Sequence, residues 1–238
     1  MINSVKPNLI ISDSRGAWFR ATILFILALI GTVGMWSVVV FIPDIEKEFG
    51  LDRGTSSLLY AFTMIGFGFG TVVIGKVYDK FGIKKPILLA TFVLITSYYF
   101  YSIFPFYWQF LILQFFMGFA ASAFFGPAMA DISNFFNKQR GFALSIVASA
   151  NYVAGATWPL LIGYFLTFID WRAAHFWISI CLFIMIPLIL LLKNASVDES
   201  KSHDMKQRYK DIRLDLSNNQ IQVLLMLAGI CCCVAMAM

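Results

Sequence analysis

The stretch Gly75-Lys76-Val77-Tyr78-Asp79-Lys80-Phe81-Gly82-Ile83-Lys84-Lys85 decides the fold, because of what lies on either side of it. Before it, Gly54 to Gly75 carries no charge; after it, Pro86 to Ala130 carries none. About twenty apolar residues in a helix cross the hydrocarbon core of a bilayer. A short lysine-rich connection between two such runs is a loop between membrane spans, and its lysines resist translocation and hold it at the cytoplasmic face.

Further uncharged runs extend from Ala21 to Pro43, from Gly141 to Ile169 and from Ala173 to Leu192. The run from 86 to 130 is too long for one crossing, and Phe104, Pro105, Phe106, Tyr107 and Trp108 interrupt it as a tight turn at an aromatic interface belt. Six complete helical spans are thereby predicted. Asn194 to Gln220 is polar, and Ile221 opens another apolar run that stops at Met238 before a crossing is finished. The expected organisation is all-α and integral to the membrane. An amino-terminal six-helix bundle covers 1–192, a cytoplasmic central loop 193–220, and the truncated start of a seventh helix 221–238. The first run is longer than a signal-peptide core and follows Lys6, Pro7, Asp13, Arg15 and Arg20, so it is expected to stay in the membrane.

Hydrophobic residues make up 60% of the chain and charged residues 13%, with a mean hydropathy of +0.78. A soluble domain carries roughly a quarter charged residues, dispersed over its surface. Here they are gathered into short clusters between apolar runs. Lys and Arg fall at the amino terminus, in the second loop, in the fourth (Lys138, Arg140) and after Lys193, whereas the first loop is rich in acid (Asp44, Glu46, Glu48, Asp52), the third uncharged, and the fifth holds only Asp170 and Arg172. This predicts a multi-pass protein of the plasma membrane with its amino terminus and central loop in the cytoplasm.

The net charge of +5 follows this topology and forms no basic stripe for nucleic acid. Cys181 and the run Cys231 to Cys233 lie in apolar stretches without ligand spacing, so neither metal nor disulfide is expected. No cofactor is implied. His175 and His203 have no evident catalytic companions, which argues against an enzyme. Gly66, Gly68 and Gly70 resemble a phosphate loop only on the surface: they sit inside an uncharged membrane run with no following Lys-Ser/Thr.

Residues 75–85 match, at every defined position, the loop signature of the major facilitator superfamily: Gly, three residues, Asp, a basic residue, one residue, Gly, one residue and two basic residues. The stretch from Asn134 to Ala143 is similar to that family's connection between fourth and fifth spans, and Asp170, Trp171 and Arg172 to its fifth loop. Phe41, Pro43, Glu48, Phe49 and Gly50, with Leu216 to Gln220 before Ile221, resemble bacterial carriers of the monocarboxylate and oxalate/formate group. The resemblance implies a bundle of three plus three helices in inverted topology, the amino-terminal half of a twelve-span secondary transporter. Its partners would be a small solute with a coupling proton or ion, the lipid bilayer and the missing carboxy-terminal half. Multidrug efflux, or a non-transporting assembly subunit, are the alternatives. Some family features are missing. Gln114 stands where an Arg commonly precedes Gly118, nothing from Ala21 to Pro43 is charged, and Trp158 replaces the Gly of a Gly-Pro antiporter signature spread over Gly155, Pro159 and Gly163.

The resemblance points to Gly75, Asp79, Lys80, Gly82, Lys84 and Lys85 as a conformational gate. Gly75 would let neighbouring helices approach, and Asp79 would meet the positive end of a helix in the other half. The lysines are equally readable as topology determinants alone. Asp131, with Asn134 on the same helix face, either lines an inner gate beside Asp79 or sits in interfacial water. Candidates for the substrate cavity are Trp36, Tyr60, Gln114, Asn151, Tyr152 and Trp158, expected from the family's midplane site; packing or lipid contact is the competing reading for each aromatic.

Overall fold

A computed structural model of the chain describes residues 13–192 together with Gln220 and Leu224. The chain divides into two compact units, Met1–Ser196 and Val197–Met238; Gln220 and Leu224 of the second are helical. Apart from those two, the expected central loop and seventh span lie outside the described residues, as do His203 and Cys231 to Cys233.

Six helices in the first unit are long and apolar enough to cross a membrane: α1 (Arg15–Phe49), α2 (Arg53–Phe81), α3 (Lys84–Ile103), α4 (Tyr107–Phe135), α5 (Arg140–Phe165) and α6 (Trp171–Leu191). Three of them, α1, α2 and α4, run five or six residues past the uncharged runs, because lack of charge marks the bilayer's thickness while backbone hydrogen bonding continues into the charged flanks. Local chemistry sets the ends. Asp52 caps α2 by accepting from Gly54 N at 2.9 Å and Thr55 N at 3.2 Å. The Thr55 hydroxyl, 2.6 Å away, also helps hold the Asp52 carboxyl below its ordinary pKa. Asp170 caps α6 through Arg172 N. Between α2 and α3 the chain turns at Gly82, whose φ of 73° lies in the left-handed region that glycine enters without strain. Phe104-Pro105-Phe106 makes the turn between α3 and α4 where the sequence places it.

Neighbour relations reveal the architecture. The most extensive pairing joins α2 to α4; α1 lies along α5, and α3 along α6. Exchanging the first three helices for the last three turns α1·α5 into α4·α2 and leaves α3·α6 unchanged. Two inverted three-helix repeats packed about a pseudo-two-fold axis have this pattern. The α2·α4 pairing is close because backbone meets backbone. A Cβ on Gly118 would run into the Thr63 carbonyl, and one on Gly66 into the Phe115 carbonyl. The glycines that imitate a phosphate loop are thus partly explained by packing. Gly75 differs from expectation: among the described residues a Cβ there would meet nothing within 4 Å, so it brings no helix of this unit closer.

Large aromatics fill the interior, with Phe41, Tyr98, Tyr101, Phe110 and Phe124 almost wholly buried. Their polar atoms are satisfied inside the bundle, as where the Tyr98 and Ser37 hydroxyls stand 2.6 Å apart. The faces of α2 and α5 are more open, exposing Ile65, Phe69, Val72, Tyr152 and Leu160.

Candidate functional site

At the lysine-rich end, Arg20 of α1 grips Asp131 of α4 in a two-pronged pair, Nε to Oδ2 at 2.6 Å and Nη2 to Oδ1 at 2.9 Å. The guanidinium also lies over the Phe135 ring, 4.6 Å from its centroid. Asp131 is only 5% exposed, and its carboxylate is paired with Arg20 within this bundle. Asn134, one turn on, does reach toward α2, donating to the Tyr78 hydroxyl at 3.4 Å. Asp79 itself is exposed at the end of α2. Nearby, Lys80 and Lys85 approach the exposed Phe81 ring at 5.3 and 4.5 Å. Gly82 shapes the turn, and Lys84 opens α3.

Just before α1, Asp13 reaches the connection between α4 and α5. Its carboxylate accepts backbone N–H groups from Asn137, Lys138 and Gln139 at 3.1–3.4 Å. Its slight burial pushes the carboxyl's pKa up, and these three donors more than reverse that, so the group titrates below its ordinary value.

The seam between α1 and α5 gathers three of the six cavity candidates. The Trp36 indole donates to Asn151 Oδ1 at 3.2 Å, and the Trp158 indole to the Leu29 carbonyl at 2.8 Å, beside the break in α1 at Thr32. Gly155 makes room for the Trp36 ring: a Cβ there would lie 2.9 Å from Cζ2. Tyr152 follows Asn151 with 56% of its surface exposed, and Tyr60 is exposed on α2. Gln114 lies deeper than these. It is 1% exposed, its oxygen accepts from Thr63 at 2.9 Å and its nitrogen approaches the Tyr101 hydroxyl at 3.4 Å, so it ties α2, α3 and α4 together and lines no open face. An apolar cleft of about 400 Å³ lies beside Trp158, bounded by Ile30, Phe165, Trp177 and Leu182.

The opposite end holds a cluster that sequence reasoning did not assemble. Glu48 accepts from the Trp171 indole at 2.8 Å and from Arg172 at 2.6 Å, while Arg172 also donates to the Phe104 carbonyl at 2.8 Å. Below it His175 stacks on Tyr101, nearly parallel at 4.4 Å, and hydrogen-bonds the Trp171 carbonyl at 2.8 Å. These contacts fasten α6 to α1 and α3. A signal was present, an acidic first loop opposite the lone Arg172 of the fifth, but nothing local pairs residues so distant in sequence.

The profile of the Major Facilitator Superfamily matches residues 24–238. The chain belongs to the major facilitator superfamily. This is a family of transporters rather than enzymes, and its six-helix bundle is the one described above. Among curated superfamily relatives, the chain is 28% identical to the "MFS-type transporter pynF" of Aspergillus niger over 61% of its own length and 34% of the relative's. It is 26% identical to the "Agnestins efflux protein AgnL12" of Paecilomyces divaricatus over 63% and 35%. It is 24% identical to the "Inner membrane transport protein YnfM" of Escherichia coli over 71% and 41%. The chain spans less than half the length of these relatives.

Proposed function

We propose that this chain is the amino-terminal half of a secondary carrier that moves small organic solutes with an apolar body and one polar group, monocarboxylates foremost, by alternating access. The bundle of 1–192 rocks against a second bundle that opens with 221–238, joined by the 193–220 loop, and exposes one site to each side in turn. The lysine-bearing loops support a cytoplasmic amino terminus and central loop, and the monocarboxylate-group resemblance supports the inner membrane of a bacterium as the setting. Asp79, with Gly75, Gly82 and the loop lysines, serves as the inner latch, and a proton or other ion gradient supplies the driving force.

The observation that carries the substrate class is the α1–α5 seam, where Trp36, Asn151 and Trp158 combine broad apolar rings with neutral polar atoms. No Lys, Arg, Asp or Glu lies between 21 and 43, 54 and 75, 86 and 130, or 141 and 169, so this half contributes shape and neutral hydrogen bonding at membrane depth and no fixed charge. A second reading, efflux of larger lipophilic products, is favoured by the apolar cleft beside Trp158 and by a relative whose name is that of an efflux protein.

The test is uptake of radiolabelled small carboxylates by right-side-out and inverted vesicles carrying the complete gene, with and without a proton gradient. Uptake of one acid, competed by its relatives, supports the carboxylate class. Movement of lipophilic dyes with no acid uptake shifts the reading to efflux, and neither activity in vesicles with confirmed insertion overturns both.

A further inference from the structure

Asn151 stands on α5 about 16 Å along the helix from Arg140, at 1.5 Å of rise per residue, which is membrane depth for this span. Its oxygen accepts the Trp36 indole N–H. An indole nitrogen can only donate, so this one bond fixes the amide's orientation: Oδ1 faces Trp36 and the NH2 group faces away. The ring that sets it is held in turn, since Gly155 leaves a space into which Trp36 fits and which any side chain would fill. Trp36 therefore acts as a peg, and the carboxamide cannot flip without losing its hydrogen bond.

Among the described residues nothing accepts from Asn151 Nδ2. Asn151 is only part-buried, and Tyr152 beside it is open. A donor left unmatched at this depth is costly, because hydrocarbon offers no acceptor. Among the described residues no buried side-chain polar atom is left without a partner, so the unmatched Nδ2 lies on the accessible side of the seam, where a solute can reach it.

We propose that Asn151 recognises the substrate, donating from Nδ2 to an acceptor oxygen of a carboxylate or carbonyl, with Trp36 as its positioning residue. The inference rests on reading this chain as half of a carrier and deepens it by naming the group recognised. A neutral donor holds a carboxylate without a fixed cation, which suits an interior free of Lys and Arg, and it gives no anchorage to an ammonium group. The apolar body of the solute would lie against the indole rings.

The experiment uses the complete carrier in liposomes, with labelled benzoate, butyrate and acetophenone as acceptor probes and benzylamine as the contrast. Wild type is expected to take up at least one acceptor probe and to ignore benzylamine. Asn151→Leu keeps the size and removes the donor, and should raise KM at least tenfold while kcat stays within about twofold. Trp36→Phe removes the peg and keeps the donor, and should raise KM only about threefold. Asn151→Ser retains a donor and should fall between them, which keeps the test open if the leucine variant folds poorly. Equal KM effects in Asn151→Leu and Trp36→Phe would show that Asn151 merely satisfies the indole, and an unchanged KM in Asn151→Leu would equally overturn the proposal while leaving the carrier reading intact. Wild type that is inserted yet moves none of the probes counts against the carrier reading, and the recognition proposal falls with it.

Discussion

Arg20 and Asp131, 111 residues apart in sequence, meet as a bidentate pair whose side chains are 5% and 7% exposed. They join α1 to α4, the two helices that the pseudo-two-fold axis exchanges, so one ion pair ties the beginning of the first helix of one inverted repeat to the end of the first helix of the other. Two charges removed from water make a pair that is weakly stabilising as a whole and damaging to break. Asp131→Asn is expected to destabilise the carrier by about 3–5 kcal/mol, because it leaves a buried guanidinium without its counter-charge. Arg20→Met combined with Asp131→Leu should melt closer to wild type, since no charge remains to be buried. Melting curves of the complete protein in detergent check this, and equal losses in the single and double variants would contradict it.

The contact between α2 and α4 makes a sharper distinction among glycines that look alike in sequence. At Gly118 a methyl group would strike the Thr63 carbonyl and the backbone around it, while at Gly68 it would meet nothing within 4 Å. Overpacking costs typically about 1–3 kcal/mol when side chains can yield, and backbone cannot yield as they do. Gly118→Ala is therefore expected to reduce the monodisperse fraction in fluorescence-detected gel filtration severely. Gly68→Ala should leave it unchanged or raise it, since alanine in a helix gains about 0.5–1 kcal/mol over glycine. Equal behaviour of the two variants would mean that the backbone approach does not hold the helices together.

The spans were legible in the sequence because lipid imposes a length and forbids charge, and both constraints act on contiguous residues. The turn at Phe104 to Phe106 was readable for the same local reason. Distant partnerships were not. Arg20 lies one residue before an uncharged run and counts equally well as a topology-setting charge, and only the fold shows that it turns inward to Asp131. Gln114 was opaque in the same way: its register matches a family position for a functional Arg, and only the fold shows that Thr63 and Tyr101 are its partners. Pairing across helices depends on which faces meet, and periodicity in a helix that is apolar all round hardly marks a face.

Asp13 gives a dependence on pH. Its carboxylate is the acceptor for three consecutive backbone donors, and its pKa in the folded state is lowered from the ordinary 3.8. A depressed pKa contributes stability that is complete above the unfolded value and is lost as pH falls through the folded one. Amide exchange at Asn137, Lys138 and Gln139, measured by hydrogen–deuterium mass spectrometry, should be slow and constant from neutral pH down to about 4, after correction for intrinsic rates. It should then quicken below the ordinary value. Asp13→Asn keeps a residue that tolerates the φ of 56° there and removes the charge; exchange should be faster at neutral pH and lose its acid dependence. An acid response that survives in the asparagine variant would assign the titration to another group.

Asp79 carries the latch proposal, and its exposure at the end of α2 leaves the carboxylate available to something outside this bundle. A carboxylate facing the amino-terminal end of a helix contributes about 0.3–2 kcal/mol, equivalent to about a two- to thirtyfold bias between two gate positions. Asp79→Asn keeps the shape and removes the charge, so insertion and melting should stay near wild type while the inward/outward equilibrium shifts by that factor and transport slows. Cysteine accessibility on the two faces of the complete carrier reads the equilibrium separately from the rate. A variant with unchanged transport and unchanged accessibility would leave Asp79 as a helix-end charge with no part in gating. A variant that loses melting temperature instead would place its partner inside this bundle and not in the second half.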